Sequence, residues 1–131
     1  MAHLIACMGH DTENQDIVGK IIYSKVFDIV YLICDADVKE NFILRDESIK
    51  SLIKINYVLI DDNDAIDRLN DDIYASLKKG FANDKIQDLE LAINISSGKG
   101  RLHAALISAV VRLGYGIRIV DLDKDGDVVA L

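Results

Sequence analysis

The sequence contains no proline, only two cysteines and no hydrophobic run of membrane-spanning length. There is no low-complexity segment, internal repeat or shift in composition that would mark a linker, which indicates a single domain over residues 1–131. No apolar run approaches the roughly 18 residues of a transmembrane helix, and the first residues lack the basic and apolar regions of a signal peptide. We therefore predict a soluble, cytoplasmic protein with no membrane partner.

The two cysteines, Cys7 and Cys34, each lie in an apolar run. In a cytosolic protein such cysteines are far more often buried free thiols than a disulfide or metal ligands. Together with three scattered histidines they give no zinc-type spacing. The sequence thus indicates no metal and no cofactor, and the thiols carry no functional assignment.

The chain is short of positive charge, with a formal net charge of -7. This argues against a DNA-binding or RNA-coating protein, because such proteins neutralise many phosphates. The charge is unevenly distributed, since residues 91–120 contain no Asp or Glu but contain Lys99, Arg101, Arg112 and Arg118. A local basic region on an acidic body suits a compact anion better than a long polyanion.

Short apolar runs alternate with longer amphipathic stretches, which is typical of parallel strands joined by helices. The predicted strands cover residues 3–9, 27–34, 55–62, 89–96 and 116–122. Two predicted helices cover residues 13–25 and 46–54, and a capping box at Thr12 and Gln15 begins the first of them. A third, long helix is predicted to be capped by Asp64 and to end at Gly80, and a fourth covers residues 100–113.

A type I′ turn predicted at Asp125-Gly126 would lead into a final antiparallel strand. The order of elements predicts an α/β fold, a Rossmann-like three-layer sandwich with a mainly parallel sheet and a C-terminal antiparallel hairpin. The last predicted helix is apolar on several sides, so we expect a second subunit to cover it.

The segment at residues 94–106 reads NISSGKGRLHAAL and joins the fourth strand to the last helix. Its turn contains Ser96, Ser97, Gly98, Lys99, Gly100 and Arg101. The glycines permit close backbone approach, the serines offer hydroxyls or a cap, and the cations stand where the helix dipole is already positive. The cations and the positive end of the helix dipole repel one another, and a bound anion would relieve this repulsion, so the pattern favours an anion site. The alternative is a solvated turn that caps the helix.

Two sharper phosphate motifs are excluded. A Walker A loop would require glycine at Ile93 and a hydroxyl residue after Lys99. A dinucleotide fingerprint would close on a third glycine and follow the first strand, and neither condition is met.

One segment resembles the fourth-strand motif of the CARF domain, the CRISPR-associated Rossmann fold. That motif reads N-[LIV]-[ST]-G-G-[TN]-K, and the matching residues here are Asn94, Ile95, Ser96, Ser97, Gly98, Lys99 and Gly100. The sequence departs at Ser97, where glycine is usual, and its lysine stands one place early. The resemblance covers the whole chain in the order of its elements. It implies a homodimer that binds a cyclic oligoadenylate, the second messenger of type III CRISPR effector complexes, with cyclic tetra-adenylate as the expected ring.

Residues 1–131 contain no fused nuclease or DNA-binding domain, so we expect the protein to be similar to the standalone ring nucleases of this superfamily, which destroy the messenger. The implied reaction needs no metal, because the ribose 2′-hydroxyl attacks the adjacent phosphate when the two are held in line. The alternatives are a non-catalytic sensor or sequestering module for the same ligand, and an unrelated Rossmann-like protein that binds mononucleotides.

Within this interpretation Lys99 or Arg101 would stabilise the phosphorane charge, Ser96 or Ser97 would hold the phosphate, and His10 would transfer a proton. The alternative for His10 is a solvated loop residue. The candidate catalytic residues are Lys99, Arg101, Ser97 and His10, and the candidate ligand-binding residues are Gly9, Asp11, Thr12, Asn14, Asn94, Ser96, Gly98 and Gly100. His103 is interpreted as a helix-surface or packing residue.

Overall fold

The computed structural model describes residues 3–42 and 47–131. The strands are β1 (His3–Cys7), β2 (Ile29–Cys34), β3 (Lys54–Leu59), β4 (Glu90–Asn94), β5 (Gly116–Leu122) and β6 (Val128–Ala130). The helices are α1 (Thr12–Tyr23), α2 (Ala36–Asn41), α3 (Glu47–Leu52), α4 (Ile66–Asp84) and α5 (Gly100–Arg112). The predicted α/β sandwich with a C-terminal hairpin is confirmed.

The six strands form one sheet in the order β3-β2-β1-β4-β5-β6. All neighbours are parallel except β5 and β6, which are antiparallel. The chain proceeds outward from β1 to β3 and then crosses back to β4, so the strand order reverses between β1 and β4. In open α/β sheets this switch point is where loops diverge and ligands bind.

Both faces of the central strand β1 are buried, which explains its continuous apolar sequence. Ile5 and Cys7 pack on one face beneath α4 and α5, whereas Leu4, Ala6 and Met8 pack on the other beneath α1, α2 and α3. The sheet is therefore held rigidly between two helical layers, and its strand ends have fixed positions.

Several predicted boundaries are wrong for local reasons. The capping box at Thr12 and Gln15 does not form, because Asp11 is the N-cap and the Gln15 side-chain amide donates to the Gly9 carbonyl instead. Asp64 does not cap α4, whose N-cap is Ala65. The short helix α2 was not predicted, and residue 46 of the second predicted helix lies outside the described residues.

The turn before β6 also differs from its prediction. A type I′ turn needs positive φ at both central residues, but here Gly126 has a φ of 85° and Asp125 is not left-handed. The Asp123 carboxylate instead accepts hydrogen bonds from the backbone N–H groups of Asp125 and Asp127. This local capping by an aspartate stabilises the wider turn.

Cys7 and Cys34 are buried free thiols, as predicted. Burial raises the pKa of both, that of Cys34 to about 11, so neither forms a thiolate near neutral pH. Within residues 3–42 and 47–131, no three His, Cys, Asp or Glu side chains converge as a metal ion requires, and no helix is long and apolar enough to cross a membrane.

Candidate functional site

Two turns meet at the switch point of the sheet, the β1 turn (residues 8–11) and the β4 turn (residues 95–99). The two turns are in contact, since the Gly9 N–H donates to the Ser97 hydroxyl oxygen at 2.9 Å. A Cβ added to Gly9 would lie 2.8 Å from the Gly98 Cα. Gly9 is therefore required for this approach, and no larger residue fits without moving the backbone.

Asp11 joins the two turns through its carboxylate. It accepts hydrogen bonds from the Ser97 hydroxyl at 2.8 Å, the Asn14 amide at 2.7 Å and the Gly98 N–H at 3.3 Å. Partial burial alone would raise the pKa of Asp11, but these hydrogen bonds outweigh it and hold the pKa below its usual value. Asp11 and Asn14, both expected to line a ligand, thus fix the shape of the two turns.

Replacing Gly9 by alanine is expected to lower the free energy of unfolding by about 1 to 3 kcal/mol, because the new methyl group forces the turns apart. Denaturant unfolding measures the change. The matched control is Gly19→Ala in α1, where the nearest atom to the added Cβ is 4.0 Å away. That substitution is expected to leave stability unchanged or to raise it slightly, since alanine favours the helix. Equal stability of both variants would contradict the close approach.

Ser97 is buried, and its hydroxyl is fully engaged. It donates to Asp11 and accepts from Gly9, while its carbonyl accepts a hydrogen bond from His103 Nε2 at 2.7 Å. The serine that was predicted to be catalytic is therefore buried beneath the surface of the candidate site, where its hydroxyl does not face the solvent. His103, interpreted from sequence as a surface or packing residue, holds the β4 turn from the first turn of α5.

Asn94 and Ser96 connect the end of β4 to β5. Asn94 is fully buried, and its amide donates to the Val120 carbonyl at 2.9 Å and to the Ser96 hydroxyl at 2.8 Å. The Ser96 hydroxyl in turn donates to the Asp121 carboxylate at 3.2 Å. In this structure both residues hold the β4 turn in place, and Ser96 is the more exposed of the two.

The N-terminus of α5 is open. Lys99 is its N-cap and makes no side-chain capping bond, and the first turn contains no acidic residue. Gly98 has a φ of 95°, which only glycine adopts without strain, and nothing lies within 4 Å of a Cβ added to Gly100. The first backbone N–H groups of α5, which have no partner within the helix, and the helix dipole therefore face an accessible space that suits an anion.

Lys99 and Arg101 both reach the β3 loop (residues 60–65). Lys99 Nζ lies 3.4 Å from Asp62 Oδ2, and the Arg101 guanidinium donates to the carbonyls of Asp64 at 2.8 Å and Asp62 at 3.2 Å. The Asp62 side chain is only 13% exposed. Lys99 thus has an internal anionic partner and Arg101 has two backbone carbonyl partners, and the sequence indicated neither contact.

His10 lies at the exposed edge of the β1 turn, and Thr12 begins α1 beside it. His10 Nε2 lies 2.6 Å from Asp35 Oδ2, so a histidine after β1 is paired with an aspartate after β2. Thr12 lines a groove of about 650 Å³ along α1, and none of the other predicted site residues lines that groove. The predicted residues therefore gather around the β1 and β4 turns and not in that groove.

No protein-family model matches the chain, and no curated protein matches it. Among solved structures, the fold is similar to that of Csm6 from Enterococcus italicus, a CARF-domain protein, bound to cyclic hexa-2′-fluoro-hexa-dAMP. The TM-score is 0.61 at 18% sequence identity, and the match covers 95% of this chain. The chain spans 34% of the length of that Csm6 chain. The prediction of a CARF-like fold is confirmed.

Proposed function

We propose that the protein binds a cyclic oligoadenylate as a homodimer, at the β1 and β4 turns, and opens the ring by a metal-independent reaction. The proposal is supported by one juxtaposition in particular: the open N-terminus of α5, with Lys99 and Arg101, stands at the switch point of a CARF-like sheet. The Csm6 chain with the same fold holds a cyclic oligonucleotide.

A ring of several phosphates matches this site in charge. Each phosphate can accept hydrogen bonds from the N–H groups at the start of α5 and from a lysine or arginine. A two-fold arrangement presents the same donors twice to a ligand that is itself repetitive. Because the rest of the chain is acidic, a compact ring is favoured over a long nucleic acid.

The proposed reaction is attack of a ribose 2′-hydroxyl oxygen on the adjacent phosphorus, with cleavage of the bond from phosphorus to the 5′-oxygen. The hydroxyl proton passes to a water molecule, and the leaving 5′-oxygen takes a proton from water, so the opened ring has a 2′,3′-cyclic phosphate at one end and a 5′-hydroxyl at the other. Lys99 and Arg101 would stabilise the charge on the phosphorane, and the rigid turns would hold the nucleophile in line. Ser97 acts through the shape of the β4 turn, since its hydroxyl is engaged.

The buried Ser97 hydroxyl favours a second candidate function, which is binding without cleavage. In that case the protein sequesters the messenger or presents it to a partner. The two candidates share the ligand and the dimer and differ only in whether the ring is opened.

Incubation of the protein with labelled cyclic tetra-adenylate and cyclic hexa-adenylate in EDTA tests both candidates. Linear products with a 2′,3′-cyclic phosphate end support the ring nuclease. Unchanged ligand bound at one ring per two chains supports the sensor. AMP serves as the control, because binding of AMP with no binding of either ring contradicts both and indicates a mononucleotide-binding protein.

A further inference from the structure

The pair formed by His10 and Asp35 has no part in the interactions that hold the two turns together. His10 Nε2 and Asp35 Oδ2 are 2.6 Å apart, and the other Asp35 oxygen accepts a hydrogen bond from the Val38 N–H at 2.8 Å, which caps α2. Asp35 is therefore fixed by the backbone of a helix, and through it the orientation of the His10 ring is fixed as well.

The second ring nitrogen of His10 is available to a ligand. The side chain is 58% exposed, and within the described part of the chain Nδ1 makes no hydrogen bond. The β1 turn that carries His10 also contacts the β4 turn, so the imidazole lies at the rim of the same strand-end region as the N-terminus of α5. A side chain held at one nitrogen and exposed at the other is suited to donate to an anion.

The charged groups around His10 all favour its cation. They are Asp35, whose hydrogen bond has the largest effect, then Asp62 in the β3 loop and Asp37 in α2. Together they raise the pKa of His10 despite slight desolvation. Burial alone would raise the pKa of Asp35, but the Val38 N–H and His10 outweigh it and lower that pKa, so both shifts favour the ionic form of the pair.

Resting on the proposed function, we infer that Asp35 is a positioning residue, which holds His10 as a cationic hydrogen-bond donor to a phosphate of the bound ring. His10 thus adds a third cation to Lys99 and Arg101 in each protomer. Unlike those two, it is a cation only over part of the pH range.

The pH dependence follows from the direction of the shift. A raised pKa keeps His10 cationic to higher pH than the ordinary value of about 6.5, so binding is strongest below that value and weakens as the pH rises through the raised pKa. Removing the Asp35 charge lowers the pKa of His10 and moves this loss of binding to lower pH.

The test uses Asp35→Asn, because asparagine caps a helix as well as aspartate does and so preserves α2. The dissociation constant of labelled cyclic tetra-adenylate or cyclic hexa-adenylate is measured between pH 5.5 and 8.5, and NMR follows the His10 ring protons. The variant is expected to bind about threefold to tenfold more weakly than the wild type at pH 7.5 and equally well at the lowest pH. Glu40→Gln, an equal change of charge on the same helix at a residue that does not act on the His10 pKa, is expected to keep the wild-type pH profile.

Two results would overturn the inference while leaving the proposed function intact. One is an unchanged pH profile of binding in Asp35→Asn although the His10 pKa has fallen. The other is a wild-type pH profile in His10→Gln, which removes the cation altogether. If the wild-type protein binds neither ring at any pH, the proposed function fails, and the inference fails with it.

Discussion

Substituting alanine for both Lys99 and Arg101 is expected to weaken the binding of cyclic oligoadenylate by about 100-fold or more. The two side chains supply the only full positive charges between the end of β4 and the first turn of α5. In the proposed dimer the double substitution removes four cations from one ligand. Fluorescence anisotropy with a labelled ring measures the effect, and the wild-type affinity is expected to fall steeply with added salt while that of the variant changes little.

The matched control removes the same charge elsewhere. Lys78 and Lys79 are exposed on α4, and their double replacement by alanine is expected to leave the affinity close to wild type. Asp62→Asn is expected to have the opposite effect on affinity and to tighten binding of the ring, because it removes the carboxylate charge that lies 3.4 Å from Lys99 Nζ. Wild-type affinity in the Lys99 and Arg101 variant would show that the ring, if bound, lies elsewhere.

The basic turn was predictable because all of its residues are adjacent in the sequence. Its partners were not. Asp35 and Asp62 follow other strands, and only the parallel sheet brings the ends of β1, β2, β3 and β4 to one edge. Hydrophobic periodicity placed those strands correctly, but it does not show which of the loops after them lie next to each other. The contact between Asp62 and Lys99 is therefore visible only in the three-dimensional structure.

The buried interactions of Ser97 and Asn94 were also beyond the sequence. A serine in a glycine-rich turn has the same local pattern whether its hydroxyl faces a ligand or another turn. What decides here is the approach of Gly9 to Gly98, a contact between residues that lie far apart in the sequence. The motif therefore located the candidate site, whereas the direction of each side chain depended on the packing of the two turns.

The predicted end of the long helix at Gly80 is wrong. Glycine often terminates helices, so the sequence predicts that the long helix ends there, yet α4 continues to Asp84. A Cβ on Gly80 would lie 2.8 Å from the Tyr31 ring, so the glycine provides space for an aromatic residue of β2. The extra turn of helix then carries Asp84 to the hydroxyl of that same tyrosine.

Asp84 is consequently the centre of a buried polar network. Its side chain is 5% exposed and accepts hydrogen bonds from the Tyr31 hydroxyl, the Lys54 ammonium and the Asn56 amide. Burial alone would raise the pKa of Asp84, but these donors, Lys54 foremost, outweigh it and lower the pKa. The network ties the end of α4 to β2 and β3, which fixes one edge of the sheet.

Replacing Asp84 by alanine is expected to lower the free energy of unfolding at pH 7 by about 2 to 4 kcal/mol, since the buried Tyr31 hydroxyl and the partly buried Asn56 amide lose their acceptor. Because the folded-state pKa is depressed, the contribution of Asp84 is complete above the unfolded value of about 3.9 and is lost as the pH falls through the folded value. The gap between wild type and variant should therefore narrow below about pH 4 in denaturant unfolding. Asp72→Ala, an exposed change on the same helix, should stay within about 0.5 kcal/mol of wild type. A gap that persists unchanged into acid would mean that the carboxylate charge contributes nothing, and that the alanine acts only through lost packing.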